Sequence, residues 1–381
     1  LRTQPISPDT ISVSGSLQQP KGPDYGSTCQ VNVGRQVQVL RKIGIASASR
    51  RAVQTRLLIR IFVLLALVST PVESETRSFF PLKIQLDWTY DAQFSGILMA
   101  KTKGYYREAG LDVTVTPVDA SMNTSGIVEG SDNGIGFAEA DILLVDRAKG
   151  HHIKAFATTF QTTPFALITL KQSGLTSVAS LRGKKIGLHS DGQKAIDVIL
   201  QHNGMTRRDV QIVDVPDKLD PLISGQVDAM QGYVTDEVIQ LELAHHPVNI
   251  IPFGDNGYIS YAEVMFASDA CLQEHPDQLA QFLRATNRGW EFTIKNQEAA
   301  AKLLVDTFHA EGGVHAQLLE LEKIQPLLTY ETKDNRFGLM NPQTWEKSLA
   351  MFRDNQFLAG PVELSDVVDY SVLKRVYPDK N

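Results

Sequence analysis

Residues 82–117 read LKIQLDWTYDAQFSGILMAKTKGYYREAGLDVTVTP. Leu82, Ile84, Leu86 and Trp88 alternate with Lys83, Gln85 and Asp87, the period of a strand with one buried face. Residues 94–103 carry apolar side chains at helical spacing. Gly110 stands where a helix ends, because glycine adopts the left-handed backbone a C-terminal cap needs. Residues 112–117 alternate again. Strand, helix and strand in so short a span are the unit of a parallel sheet with covering helices.

The same pattern extends outward. Residues 134–137 read as a strand, a helix follows through Ala148, and 153–157 read as another strand. The grammar then restarts. Leu181-Arg182-Gly183-Lys184-Lys185-Ile186-Gly187-Leu188 is a turn into a strand, 194–202 a helix closed by Gly204, and 210–215 a strand. A short helix at 221–224, a strand at 227–233, a helix at 237–245 and a strand at 248–252 follow. Beyond Met265 the pattern is largely helical, over 276–295, 297–308, 316–328, 342–355 and 365–376. We therefore expect an α/β protein of two lobes, with residues 79–166 plus 265–381 in lobe 1 and 167–264 in lobe 2. The chain passes over near 165–170, returns near 263–268, and its late helices complete lobe 1. Such lobes enclose a cleft, and ligands of open α/β sheets bind beyond the carboxyl ends of the strands.

The 381 residues hold 37 Lys and Arg against 43 Asp and Glu, a net charge of −6, and 43% are apolar. Two cysteines exclude a disulfide scaffold, and the acidic balance argues against a nucleic-acid partner. The charge is uneven. Residues 1–76 carry nine basic and four acidic side chains, whereas 77–381 carry 28 and 39. Residues 1–49 are rich in Ser, Gln, Pro and Gly and read as a non-globular leader. Arg50, Arg51, Arg56 and Arg60 precede the apolar run 61–68, and Val72 and Ser74 place small residues at the −3 and −1 positions of a cut after Ser74. Residues 50–74 therefore read as a signal peptide, with a retained anchor as the alternative; the run is about half the ~20 residues a membrane span needs. The first methionine is Met99. We accordingly expect a misplaced start, with residues 1–49 possible untranslated sequence and the working protein beginning near Glu75. Cys271 is then alone in the exported chain and reads as a small buried residue.

Four junctions carry candidate chemistry. Trp88, Tyr90, Asp91 and Gln93 follow the first strand, where aromatic faces beside polar groups suit a flat heteroaromatic ligand. The alternative is that Trp88 closes the core and Asp91 caps a helix. Glu139 and Asp141 follow the next strand and equally suit the positive end of a helix. Asp191 and Gln193 follow the first strand of lobe 2, and Tyr233 and Asp236 follow a later one; capping is the alternative there too. His151-His152 and His245-His246 read as loop histidines, since neighbours do not converge on one ion as an i, i+4 pair does. No metal site is expected. There is no HExxH, no GxSxG and no phosphate loop.

Leu86-Asp87-Trp88, the run from Lys103-Gly104-Tyr105-Tyr106 through Leu111-Asp112-Val113, Leu181-Arg182-Gly183-Lys184-Lys185-Ile186-Gly187, Leu222-Ile223-Ser224-Gly225-Gln226-Val227-Asp228-Ala229 and His275-Pro276-Asp277 together resemble a known family. It is that of the substrate-binding proteins related to thiamine pyrimidine synthase, which includes binders of thiamine precursors and alkanesulfonates. The resemblance covers roughly residues 79–310. It implies a type II periplasmic-binding-protein fold with a double-crossover hinge. It also implies a periplasmic, monomeric solute-binding protein that delivers a small heteroaromatic, such as a thiamine pyrimidine precursor, to an ABC transporter permease, its only membrane contact. The family also contains the synthase, which uses pyridoxal phosphate, its own histidine and iron. Aligned here, that enzyme's lysine falls at Ala138, its donor histidine at Ile142, and its cysteine-rich run at 258–265, which holds no cysteine. The resemblance thus implies no enzyme activity and no cofactor, with the synthase as the alternative. The block 228–237 and the helix around Trp290 also look like sensor domains of membrane kinases, so a ligand-sensing subunit is a second alternative.

Overall fold

The computed structural model describes residues 78–118, 123–189, 192–216, 218–332 and 336–378. The expected leader and signal peptide lie outside the described residues. Among the described residues no helix is long and apolar enough to cross a membrane.

The opening stretch forms strand β1 (Phe80–Gln85), helix α1 (Ser95–Thr102) and strand β2 (Leu111–Thr116). Along β2 every second residue is buried, and Gly110 before it holds φ at 81°. Then come β3 (Gly134–Ala138), α2 (Ala140–Ala148) and β4 (Ile153–Phe160). The next elements are β5 (Phe165–Leu170), β6 (Lys185–Leu188), α3 (Gly192–His202), β7 (Gln211–Asp214), β8 (Ala229–Tyr233), α4 (Glu237–Leu243) and β9 (Val248–Pro252). Strand β10 (Ala262–Ser268) returns to the first lobe, and α5 (Pro276–Lys295), α6 (Gln297–Phe308), α7 (Gly313–Leu328) and α8 (Pro342–Asp354) follow.

Two five-stranded sheets result, ordered β2-β1-β3-β10-β4 and β7-β6-β8-β5-β9. Each repeats one plan. β1 pairs in parallel with β2 and β3, and β6 with β7 and β8. β10 runs antiparallel to β3 and β4, and β5 antiparallel to β8 and β9. The sheets are therefore mixed, not all parallel as the alternation suggests. The antiparallel strands are the segments at 165–170 and 263–268 that read as connectors. Every residue of β10 is buried, as are all but the last of β5. A strand buried on both faces shows no alternation, so its period is invisible. The crossings themselves fall slightly earlier, at 161–164 and 253–261: Phe165 and Ala166 belong to the second sheet, and Ala262 to Val264 to the first.

Helix α5 lies across α1 and, with the later helices, covers the first sheet. The helix expected over 365–376 is broken into Leu364–Val367 and Ser371–Val376. Between them Val368 forms a bridge with Ala155 of β4, and the Asp369 N–H donates to the Ala155 carbonyl at 2.8 Å. Those β-type bonds draw the backbone out of the helix. The crossings are fastened to this C-terminal part. Gln161, buried in the first crossing, accepts the N–H groups of Glu331 and Thr332 at 2.9 and 3.1 Å. Tyr261, closing the second, donates its hydroxyl to Glu331 at 2.5 Å and accepts the Asn341 N–H at 2.8 Å.

Candidate ligand-binding cleft

A cavity of about 840 Å³ opens between the two sheets. The carboxyl ends of the parallel strands converge on it. Asp87 and Trp88 follow β1, Glu139 follows β3, Leu188 and His189 lie at the end of β6, Asp214 and Val215 at the end of β7, and Gln231 to Tyr233 end β8. The antiparallel strands present their amino ends at the same edge and add Phe165 and Glu263. Gln93, Ile142, Gln193, Asp236 and Glu237 complete the wall.

Of the residues singled out from the sequence, Trp88, Gln93, Glu139, Gln193, Tyr233 and Asp236 line this cavity. Asp191 lies outside the described residues. Three others are placed elsewhere. Tyr90 donates its hydroxyl to the Val115 carbonyl at 2.9 Å and sets its ring 5.5 Å from that of Phe308, so it braces β2. Asp91 accepts the Gln93 N–H at 2.9 Å as a cap of the helical turn beginning at Ala92. Asp141, buried in the first turn of α2, faces the Tyr258 hydroxyl, whose pKa is pushed well above the usual tyrosine range by burial and then by Asp141. Capping residues and cleft residues share one vocabulary of side chains, so spacing alone does not separate them.

The two lobes touch at this wall through a hydrogen bond. Tyr233 of the second lobe donates its hydroxyl to Glu139 of the first. Glu139 stands at the N-cap of α2 but makes no side-chain cap bond there. The Tyr233 N–H donates to Glu237 at 2.6 Å, and Asp236 accepts the Gln240 amide at 2.6 Å. Gln193 donates to Asp214 at 3.0 Å. Phenylalanine at 233 removes the donor that Glu139 faces in the cleft. Tyr233→Phe is expected to cost about 1.5–3 kcal/mol, the ordinary contribution of a hydrogen bond to a charged group. Urea titration checks this, and an unchanged midpoint counts against the contact.

The wall is strongly acidic. Asp87, Glu139, Asp214, Asp236, Glu237 and Glu263 line it, with no Lys or Arg among the described lining residues. Burial, then Asp87 and Glu139, hold the Glu263 carboxyl well above the usual carboxylate range. Behind the wall, Glu320 on α7 is 5% exposed, and burial followed by Asp236 pushes it up to about 9. Asp91 is raised by burial, then by Glu320 and Asp236.

Among the described residues the lining holds no lysine and no cysteine, so it does not fit pyridoxal phosphate held as a Schiff base. Ala138 ends β3 with a methyl group, and Ile142 shows the cavity an alkyl chain. Among the described residues no group of three or more His, Cys, Asp or Glu is placed to hold a metal ion. His151 lies 2.7 Å from Glu129 instead. Cys271 is buried and free, and burial pushes its thiol up to about 11.

The model of the NMT1/THI5-like family matches residues 91–300, more than half of the chain. The chain belongs to the NMT1/THI5-like family. Within it, the formylaminopyrimidine-binding protein of Halalkalibacterium halodurans is 24% identical over 81% of this chain and 96% of that protein. The 4-amino-5-hydroxymethyl-2-methylpyrimidine phosphate synthase of Aspergillus parasiticus is 25% identical over 58% of this chain and 68% of the enzyme. The family thus joins binding proteins and an enzyme on similar sequences. Among solved structures, the periplasmic aliphatic sulphonate binding protein SsuA of Escherichia coli superposes with a TM-score of 0.59, at 15% identity over 76% of this chain and 92% of that one. That likeness establishes the fold, a two-lobed periplasmic-binding-protein fold. The residues that sequence reasoning missed, notably Glu263, Phe165 and Glu237, come from strands without alternation or from positions beside a chosen residue. Asp87 stood in the quoted Leu86-Asp87-Trp88 run but was read only as a polar position of the strand's alternation, so it too was missed.

Proposed function

We propose that this NMT1/THI5-like protein is a non-catalytic solute-binding protein that holds a small heteroaromatic, with a thiamine pyrimidine precursor as first candidate, in the interlobe cleft. The observation that carries the reading is the composition of the wall. Trp88, Phe165 and Tyr233 offer flat faces, and Gln93, Glu139, Gln193 and Asp236 offer polar groups from both lobes. A ligand touching both lobes stabilises the closed form only through its greater affinity for that form. On this reading the protein is exported to the periplasm, works as a monomer without cofactor, and hands its ligand to an ABC transporter permease. The pyrimidine-binding relative supports the ligand class, and the lack of a lysine among the described lining residues supports binding without a Schiff base.

A thermal-shift screen with 4-amino-5-hydroxymethyl-2-methylpyrimidine, formylaminopyrimidine, thiamine, riboflavin and taurine tests it. A ligand at 100-fold its Kd adds about 2.7 kcal/mol of stability, and Trp88→Ala is expected to abolish most of the shift. No shift with the pyrimidines or thiamine removes the ligand class. The synthase relative makes the enzyme the second reading. It requires a pyridoxal absorbance band in purified protein, and a colourless protein that gains none on adding pyridoxal phosphate sinks it.

A further inference from the structure

We infer that the solute this cleft selects is a cation, a flat molecule bearing an ammonium or amidinium charge seated against Glu139 and Glu263 of the first lobe and Asp236 of the second. The inference rests on the solute-binding reading and deepens it. Three of the six acids in the wall come from each lobe: Asp87, Glu139 and Glu263 face Asp214, Asp236 and Glu237. Glu263 gives an observation independent of the count. It is 2% exposed and lines the cavity; its carboxyl hydrogen-bonds with Asp87, while its Oε2 has no hydrogen-bond partner among the described residues. A buried carboxyl oxygen in that state is costly, and it is relieved when the side chain turns to meet a donor or a positive charge in the cavity.

The ligand's charge follows from what each class does to that wall. An anion such as a sulfonate adds repulsion to a surface with no Lys or Arg in its described lining. A neutral ring leaves the acids facing one another, and like charges in one site disfavour ionisation. A cation lowers the energy of several carboxylates at once, and it does so most in the closed form, where both lobes' acids surround it. The raised Glu263 carboxyl fits this picture, since burial and its acidic neighbours Asp87 and Glu139 disfavour its ionisation when no opposite charge is near. Trp88 and Tyr233, at the same wall, add ring faces on which a delocalised cation stacks.

The test uses purified protein and two matched pairs, each differing chiefly in charge: benzamidine against benzamide, and 4-amino-5-aminomethyl-2-methylpyrimidine against its 5-hydroxymethyl analogue. Calorimetric titration at pH 7.5 is expected to give a cation at least ten-fold tighter than its neutral partner in one pair or both. Glu263→Gln, or Asp87→Asn should that variant not fold, is expected to erase the preference. A neutral member binding as tightly in both pairs, or no binding by either cation, overturns the inference, as does a preference that survives both substitutions. The outcomes separate the two readings. Binding of the hydroxymethyl compound alone rejects the charge and keeps the pyrimidine. Binding of benzamidine over benzamide with neither pyrimidine bound rejects the pyrimidine and keeps the charge.

Discussion

The protein without ligand is expected to lose stability as pH rises from about 5 towards 9, and Glu320→Gln is expected to remove a large share of that loss. Glu320 sits on α7 among Asp91, Asp236 and Glu237, accepts the Ala92 N–H and contacts Gln317. Its carboxyl is pushed up from an ordinary value of 4.5 to about 9 by burial and then by Asp236. A group raised in the folded state keeps its proton there while the unfolded chain has released it. Its contribution is therefore fully present below pH 4.5 and falls away as pH climbs through the folded value. Each pH unit inside that window costs up to about 1.36 kcal/mol for one group, so pH 5 and pH 7 differ by roughly 2–3 kcal/mol. Asp91 and Glu263 are raised as well and add the same sign, so the variant flattens the profile without making it level. Glu129 is lowered, chiefly by the His152 N–H, and acts only at more acid pH. Glutamine keeps an oxygen for the Ala92 N–H and carries no charge. Urea midpoints at pH 5, 6, 7 and 8 decide the matter, and parallel profiles for the two proteins sink the assignment. A cationic ligand is expected to offset the loss at pH 8.

Gly289→Ala is expected to cost about 3 kcal/mol or more. Helices α1 and α5 approach at a pair of glycines. A Cβ on Gly289 meets the Gly96 carbonyl oxygen at 1.8 Å and the Ala100 nitrogen at 2.9 Å, and a Cβ on Gly96 meets the Trp290 indole at 2.2 Å. The obstacle at Gly289 is backbone, which no rotamer change relieves. Relief requires the helices to separate, and overpacking of a filled core usually costs about 1–3 kcal/mol and sometimes more. The shift reaches the cleft, because α1 begins directly after the Trp88 to Phe94 segment. Reduced ligand affinity should therefore accompany the lower urea midpoint. A midpoint within about 0.5 kcal/mol of the parent, the range of an ordinary surface change, means that the crossing is looser than the distances imply.

The alternation of Leu82 to Trp88, the helical spacing that follows and Gly110 sufficed for the β-α-β unit. The bounds of α5, α6 and β9 were legible residue for residue, because the two helices have a clear period and Pro247 and Pro252 bracket the short apolar strand. Strands β5 and β10 were not. They are buried on both faces, and only their pairing with β8 and β9, or with β3 and β4, reveals them. The site divides along the same line. Trp88, Gln93, Glu139, Gln193, Tyr233 and Asp236 were accessible from a local rule, that ligands meet the carboxyl ends of parallel strands. Glu263 was not, since it reaches the cavity from the amino end of a strand that runs the other way. Nor did the sequence separate Asp91 and Asp141, turned to a cap and to Tyr258, from the acids that face the cavity.

Local periodicity and turn chemistry thus determined the two-lobed α/β plan and its order, and the short motifs carried the family resemblance, because those properties are written in residues a few positions apart. Which acids share one cavity, which tyrosine reaches the opposite lobe and which two glycines touch were decided only by tertiary structure. Glu139 and Tyr233, or Gly96 and Gly289, lie far apart along the chain and meet only through packing. The net charge of −6 became informative in the same way: what matters is that six of the acids line a single cleft.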